Sequence, residues 1–501
     1  MLTILAGYAA LVAWGPGIEH YGSRTGAFTN SDQGECQPSD ELYGPWLGSV
    51  AAFEHYDSGR THTFSCATFG GAHNGPNEVK TSRLPGNYIT PYNAVMDDSG
   101  SGYVYAGAYG DFPGSPGSFA AKIAPDGKEI WRRQLFDAPS HPKLWNYPGV
   151  IGLHRNGSPY VVFGTTFVRL DPAHGTIMAS LDLPTQDAAN TAYNGFNGFA
   201  DGALVMKSVN RAKGCDLQGF SAFLRCDGAL DVSPSEIAVV DPESMQLLDT
   251  LTATEHIGGR LTTTRWQGVD RLYLAGAASM FRYNWNGKKL TLDEGWGPVP
   301  FMREGQTPAP AAAVIGDWIV AQTNALPAKT PMSLVAISQR DARMVRIEPF
   351  ADLPFWASPP PRRSFLPAML TVDPINSRVY VMDAAMGLAA AYQLDQSSGD
   401  LTLLWRVKQR TMNFSTLVGP PDSRVFVATD IGRLCPLLAC LRSYDSEVLV
   451  FRDAATGLEL ARSSKLPKMT SGALITPAND GHFRYLGLSG DILDIDVAPV
   501  R

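Results

Sequence analysis

Downstream of residue 88, short apolar runs alternate with turn residues, and the alternation repeats. Each unit reads as a small-residue apolar strand, a turn, a strand rich in Val, Tyr and Leu, a short connection and a third strand. An Asp/Gly or Ser/Gly turn and a fourth strand complete it. The first unit, "NAVMDDSGSGYVYAGAYG…SFAAKIAPDGKEIWRRQL", begins near Tyr92. Later units begin near Trp145, Tyr193, Gly259, Pro310, Leu366, Phe414 and Ser471, roughly 48 to 66 residues apart. Short strands bounded by turn signals and returning at a long fixed period are the pattern of propeller blades, about 40–50 residues each. The sequence therefore predicts an all-β fold: an eight-bladed β-propeller of four-stranded antiparallel blades. A seven-bladed ring with one divergent insert is the alternative count.

The eighth unit, "SGALITPANDGHFRYLGLSGDILDIDVAPVR", holds only three strands before the chain ends. Left open, the fourth place would expose a pairing edge, which closed rings avoid. Residues 17–87 carry no unit of their own but contain candidate strands such as "SVAAFEH" and "THTFSCATF". One of these is expected to complete the last blade and close the ring. Three segments follow: an apolar stretch at 1–16, a closing segment at 17–87, and the propeller proper at 88–501. The "SPPPRR" run at 358–363 reads as a linker between blades.

Composition sharpens this picture in two places. Charged residues are only 18%, whereas Gly (49) and Pro (36) are abundant, which suits many short strands joined by turns. The net charge of −7 is spread out, with no run that would hold a phosphate backbone, so nucleic acid is excluded as a partner. The six cysteines fall as near neighbours: Cys36 with Cys66, Cys215 with Cys226, Cys435 with Cys440. Local pairing of this kind predicts three disulfides and an oxidising compartment, six buried thiols being the alternative. The run "LTILAGYAALVAWG" has the length of a secretory signal's apolar core or of an anchor, though no Lys or Arg precedes it and no clear cleavage site follows. An extracytoplasmic chain, secreted or periplasmic, with at most an N-terminal membrane anchor, is the expectation.

Candidate chemistry lies where the units begin, because loops entering the innermost strands ring the mouth of a propeller's channel. Those entries carry Tyr92-Asn93, Trp145-Asn146-Tyr147, Tyr193-Asn194, Arg260 and Met412-Asn413. Asn93, Asn146, Asn194 and Asn413 would supply amide donors and acceptors, and Trp145 and Tyr193 would supply stacking walls. Arg260 would grip a carboxylate or sulfate at two points. The bland alternative is that Asn is a turn residue at a strand start. Lys207 and Arg211 form either a basic spot beside the mouth or a solvated face. His55, His62 and His73 cluster near the N-terminus, but their spacing matches no zinc or copper motif. Asp494 and Asp496 share one face of the last strand, either as a calcium site or as solvated carboxylates. No nucleophile elbow, zinc-protease helix or phosphate-binding loop is present.

The runs "AAKIAPDGKEIWRRQL", "FVRLDPAHGTIMASLDL" and "VLVFRDAATGLELARS" resemble the repeat of quinoprotein-type propellers. That resemblance, over residues 88–501, implies a superfamily holding alcohol dehydrogenases with pyrroloquinoline quinone and calcium, and also cofactor-free relatives. The enzymes' adjacent cysteine pair is missing here, and their docking Trp is matched only by Trp131 and Trp405. No cofactor residue can be carried over. Two function classes remain. One is a propeller binding a small polar or anionic ligand, or a partner protein, at the channel mouth. The other is an extracytoplasmic enzyme, an oxidoreductase or a lyase or hydrolase.

Overall fold

The computed structural model describes residues 44–500 except 111, 223–225, 227–231, 309, 325–329, 353–368, 385 and 432–445. The repeated units fold as eight antiparallel blades, seven of them with their strands in chain order from the axis outward. Blades 1 to 7 span residues 93–134, 150–182, 191–252, 261–292, 313–347, 371–408 and 416–462. Blade 8 combines 476–499 with 77–83. Inner strands such as Val150–Leu153 and Ala313–Ile315 are buried throughout, because both faces meet neighbouring blades. Outermost strands such as Ile177–Asp182 are largely exposed. A sheet buried inside and wet outside explains why apolar runs early in each unit give way to alternation at its end.

Side-chain hydroxyls and amides stitch the inner strands to one another. Asn93 exchanges hydrogen bonds with the backbone of Ile151 (2.8 and 3.1 Å), tying blade 1 to blade 2. The Thr262, Thr371, Thr416 and Thr476 hydroxyls donate to Ala312, Ser415, Ile475 and Ala94, and the last of these joins blade 8 to blade 1. Further out, tryptophans lock adjacent blades. The Trp131 indole N–H donates to the Pro172 carbonyl, and its ring covers Gly175 in the next blade's last turn. Trp405 does the same to Ala454 and Gly457, and Trp318 to Gln396 and Gly399, which adds a third docking tryptophan on a second strand. Those glycines hold positive φ (66°, 72° and 80°), and a Cβ on any of them would sit within 3 Å of an indole atom.

An N-terminal strand closes the ring, as expected, but not from either expected stretch. Asn77–Arg83 supplies the outermost strand of blade 8, antiparallel to Ile492–Pro499 in unbroken register. The two apolar candidates lie further in because they are needed there. Residues 44–64 occupy the axis and hydrogen-bond the inner strands in ring order. Met96, Leu153, Thr263, Val314, Val372 and Leu417 donate their N–H groups to Ala51, Ala52, Ser58, Gly59, Thr61 and His62. Ser58 also bonds the Gly198 carbonyl of blade 3, and Thr63–Phe64 run parallel to Leu417–Val418. These N–H groups of the inner strands are thereby satisfied by the chain itself.

The Cys215–Cys226 disulfide forms, with Cα atoms 6.0 Å apart. Cys36, Cys435 and Cys440, and with them two expected pairings, lie outside the described residues. So do the apolar segment 1–16 and the 358–363 linker.

Candidate functional site at the entry end of the axis

The sequence "FEHYDSGRTH" (53–62) carries charge into the interior, among the surrounding inner strands. Glu54, His55, Asp57, Arg60 and His62 are all 3% exposed or less. His55, Tyr56, Arg60 and His62 hold left-handed backbone, with φ of 66°, 77°, 54° and 59°. Four non-glycine residues in that region within eight positions store strain, a mark of segments whose side chains must be aimed.

Glu54 is aimed at the channel entry. Its carboxylate accepts from Arg260 Nη2 (3.0 Å) and Arg60 Nη1 (3.3 Å). Arg260 also donates to the Tyr92 hydroxyl (2.9 Å) and lies 5.4 Å from that ring's centre. Against the burial that opposes ionisation, Arg260 and its neighbours hold the Glu54 carboxyl well below its ordinary range. Burial pushes Tyr92 up to about 12 and Arg60 down to about 10.

Lys207 is the residue whose place the sequence did not reveal. It is neither a spot beside the mouth nor a solvated face, but fully buried on the second strand of blade 3. Its ammonium donates to the Ile257 carbonyl at 2.6 Å. Burial, reinforced by the charges of Arg260 and Arg60, drives its pKa far below the ordinary value. Opposite Lys207 the inner strand bulges: register jumps from Tyr193 to Phe196, leaving Asn194 and Gly195 unpaired. Bulges re-aim side chains. Asn194 donates to the Gly258 carbonyl, while its own oxygen is buried with no partner. Gly195 leaves bare the flank of Arg260, where a Cβ would stand 3.1–3.4 Å from the side chain. The outcome is two buried guanidinium groups on one carboxylate, with a buried lysine that has no carboxylate partner and an unused amide oxygen nearby.

The histidines meet on the axis. His55 and His62 stack with ring centres 4.4 Å apart, and His55 Nδ1 faces His62 Nε2. His62 Nδ1 lies 3.1 Å from the Ser415 carbonyl, which only accepts, so Nδ1 carries the proton. His55 Nε2 lies 3.3 Å from Glu54 Oε2, which links the histidine pair to the carboxylate. Burial keeps both rings neutral, His55 down to about 4 and His62 well below its ordinary value.

The other predicted residues do different work. Asn146 bonds Gly107 and Ser118. Trp145 donates to Gly219 and packs with Cys215 beneath the disulfide loop. The Tyr193 hydroxyl donates to Pro184, away from the axis. Asn413 bonds Glu447, whose carboxyl burial pushes up to about 7. Asp494 is engaged by Arg484 and His482. Of the seven ligand candidates, Arg260 and Asn194 belong to one buried polar cluster, with Glu54, Arg60, Tyr92 and Lys207. The dense charge of "EHYDSGR" between apolar flanks was the signal for the missed members.

No family model matches the sequence, and neither does any curated protein. Solved structures do match. The quinohemoprotein alcohol dehydrogenase of Comamonas testosteroni has a TM-score of 0.55 at 11% identity, covering 99% of this chain and 85% of its own. A europium-containing methanol dehydrogenase gives 0.54 at 7%, covering 92% and 98%. BamB from Moraxella catarrhalis gives 0.47 at 10%, covering 84% and 99%. The chain thus has the fold of quinoprotein-type propellers. The residues present do not fit a quinone held by calcium: no three His, Cys, Asp or Glu side chains converge as metal ligands among the described residues, and Ala51–Phe64 fill the axis.

Proposed function

We propose that this propeller binds a small anionic ligand, a carboxylate or sulfate, at the entry end of its axis. The excess of buried cations over carboxylates around Glu54 supports this reading most directly. Arg60 and Arg260 share Glu54 as counter-ion, while Lys207, buried within reach of both their charges, has none and is forced toward its neutral form. A second anion would restore the lysine's charge and use donors that the fold leaves underemployed. Tyr92 and Tyr147, each 8% exposed, mark the side from which it would enter. The Cys215–Cys226 disulfide supports an extracytoplasmic setting, since such bonds persist in oxidising compartments.

The test is calorimetric titration of the full chain with succinate, citrate and sulfate, beside Lys207→Met. Saturable binding to the wild type is expected, weakened about tenfold or more in the variant while its melting temperature holds or rises. Binding of equal strength to both proteins, or none to the wild type, would refute the assignment.

A further inference from the structure

Glu54 is buried with two arginines, whereas Glu447 is buried with none. It stands near the start of the third strand of blade 7, Ser446–Asp453, and is 4% exposed. One of its oxygens accepts from the Met469 backbone N–H at 2.7 Å, and the other from the Asn413 amide at 3.2 Å. No Lys or Arg among the described residues meets it as an ion-pair partner, and Lys468 and Asp430 act on it through space in opposite senses. Buried carboxylates are ordinarily paired or bound to a cation. Lacking either, this one keeps its proton up to about pH 7.

Two more oxygens at the same place are idle. Asn413 Oδ1 and Thr470 Oγ1 are buried without a hydrogen-bond partner, in residues 1% and 0% exposed. The backbone brings the three side chains together. The Gly472 N–H donates to the Met412 carbonyl and the Phe414 N–H to the Ala473 carbonyl. Residues 412–414 and 470–473 therefore lie against each other where blades 7 and 8 begin, and Glu447 bridges them through Asn413 and Met469. One idle oxygen belongs to a residue that holds the carboxylate, the other to the residue after one. Interiors rarely leave an amide oxygen and a hydroxyl unmet so close together. Water could meet both oxygens, but only a cation would also meet the carboxylate's charge. One carboxylate with two neutral oxygens suits a single positive charge, since calcium takes about six to eight oxygens.

We propose that Glu447, Asn413 and Thr470 form a site for a compact monovalent cation, an alkali ion or a primary ammonium group, between the entry loops of blades 7 and 8. The loop reaches solvent at Ser471, which is half-buried. Lys207 lies on blade 3, so this site and the anion site stand or fall separately. Thermal unfolding of the full chain at about pH 8 is compared in potassium, sodium, methylammonium and tetramethylammonium chloride, each at about 0.1 M. Tetramethylammonium is bulky and has no N–H to donate. For a dissociation constant of about 10 mM, the bound cation should raise the melting temperature by about 1–2 °C over tetramethylammonium. A rise in potassium or sodium identifies an alkali-ion site, and a rise in methylammonium alone an amine site. Glu447→Gln should abolish the rise. Thr470→Val removes only an idle hydroxyl, so it should melt with the wild type in tetramethylammonium and lose most of the rise. Equal melting of the wild type in all four salts, or a full rise retained by either variant, overturns the proposal.

Discussion

Replacing Glu54 by Gln tests whether the axial segment is held by charge or only by packing. The substitution keeps the shape and removes the counter-ion of two buried guanidinium groups, Arg260 at 3.0 Å and Arg60 at 3.3 Å. Removing one member of a buried ion pair costs about 3–5 kcal/mol, because the remaining charge stays desolvated and unpaired. Unfolding entropy of about 2.1 cal/mol/K per residue, over the roughly 410 described residues, gives about 0.9 kcal/mol per degree near the midpoint. The expected fall in melting temperature by scanning calorimetry is therefore about 3–6 °C at pH 7. Pairing the change with Arg260→Met makes the result specific. If the charges are coupled, the double variant falls well short of the summed single effects, by about 1–3 kcal/mol. Acetate added to Glu54→Ala should recover part of the loss by supplying a carboxylate to the vacated place. A drop below about 1 °C, or strict additivity of the two substitutions, would refute the argument that charge holds this segment.

Further outcomes follow from the same geometry. Burial raises the Asp57 carboxyl to about 7 from an ordinary 3.8, so the folded chain holds its proton more tightly. That stabilisation is complete below about pH 4 and lost as pH rises to 7, at about 1.4 kcal/mol per unit or roughly 4 kcal/mol in all. Urea unfolding of Asp57→Asn should lose this decline, and an unchanged pH profile would exclude it. His55, lowered to about 4 from 6.5, acts in the opposite sense: its contribution is present above pH 6.5 and lost as pH falls to 4, a decline that His55→Gln should lack. Gly175→Ala places a Cβ 2.4 Å from the Trp131 ring at positive φ, whereas Gly268→Ala has positive φ but open space. The first should cost about 1–3 kcal/mol more than the second in chemical denaturation; equal costs would mean the tryptophan contact is slack. Reducing Cys215–Cys226, which are 11 residues apart, should remove about 3 kcal/mol and speed hydrogen exchange around Trp145, leaving the inner strands protected; uniform loss would contradict a local staple.

The ring was legible because its signals are local. A Pro-Asp-Gly turn, an apolar third strand and Trp131 lie within fourteen residues, and each acts on its immediate neighbour or on the next blade. Closure was legible in kind but not in position. "SVAAFEH" and "THTFSCATF" read as strands because they are apolar, and apolar residues are equally what an axial plug requires. "NEVKTSR", which does close blade 8, is polar because an outermost strand is mostly wet. Lys207 misled for a related reason. A lysine on a strand is usually solvated, and its burial follows from a bulge opposite it that no local residue pattern announces. Asn93 kept its predicted place but bonds the next blade.

The axial segment links these observations. A ring of eight blades leaves inner-strand N–H groups facing a central space, and each one needs an acceptor. Residues 51–62 supply acceptors to six blades in order, so the segment is set by the ring as a key is by its wards. Once the backbone is fixed in this way, its side chains have no freedom to avoid one another. Left-handed turns at His55, Tyr56, Arg60 and His62 then decide which of them face inward. Charge placed there must be met by charge, which accounts for Arg260 at the start of blade 4 and for Glu54 between the two arginines. Lys207 has no carboxylate of its own in that arrangement: its one described hydrogen bond goes to a backbone carbonyl. Structural need accounts for the other two cations. The third is unexplained by the fold alone, which is why the anion assignment rests on Lys207 rather than on Arg260.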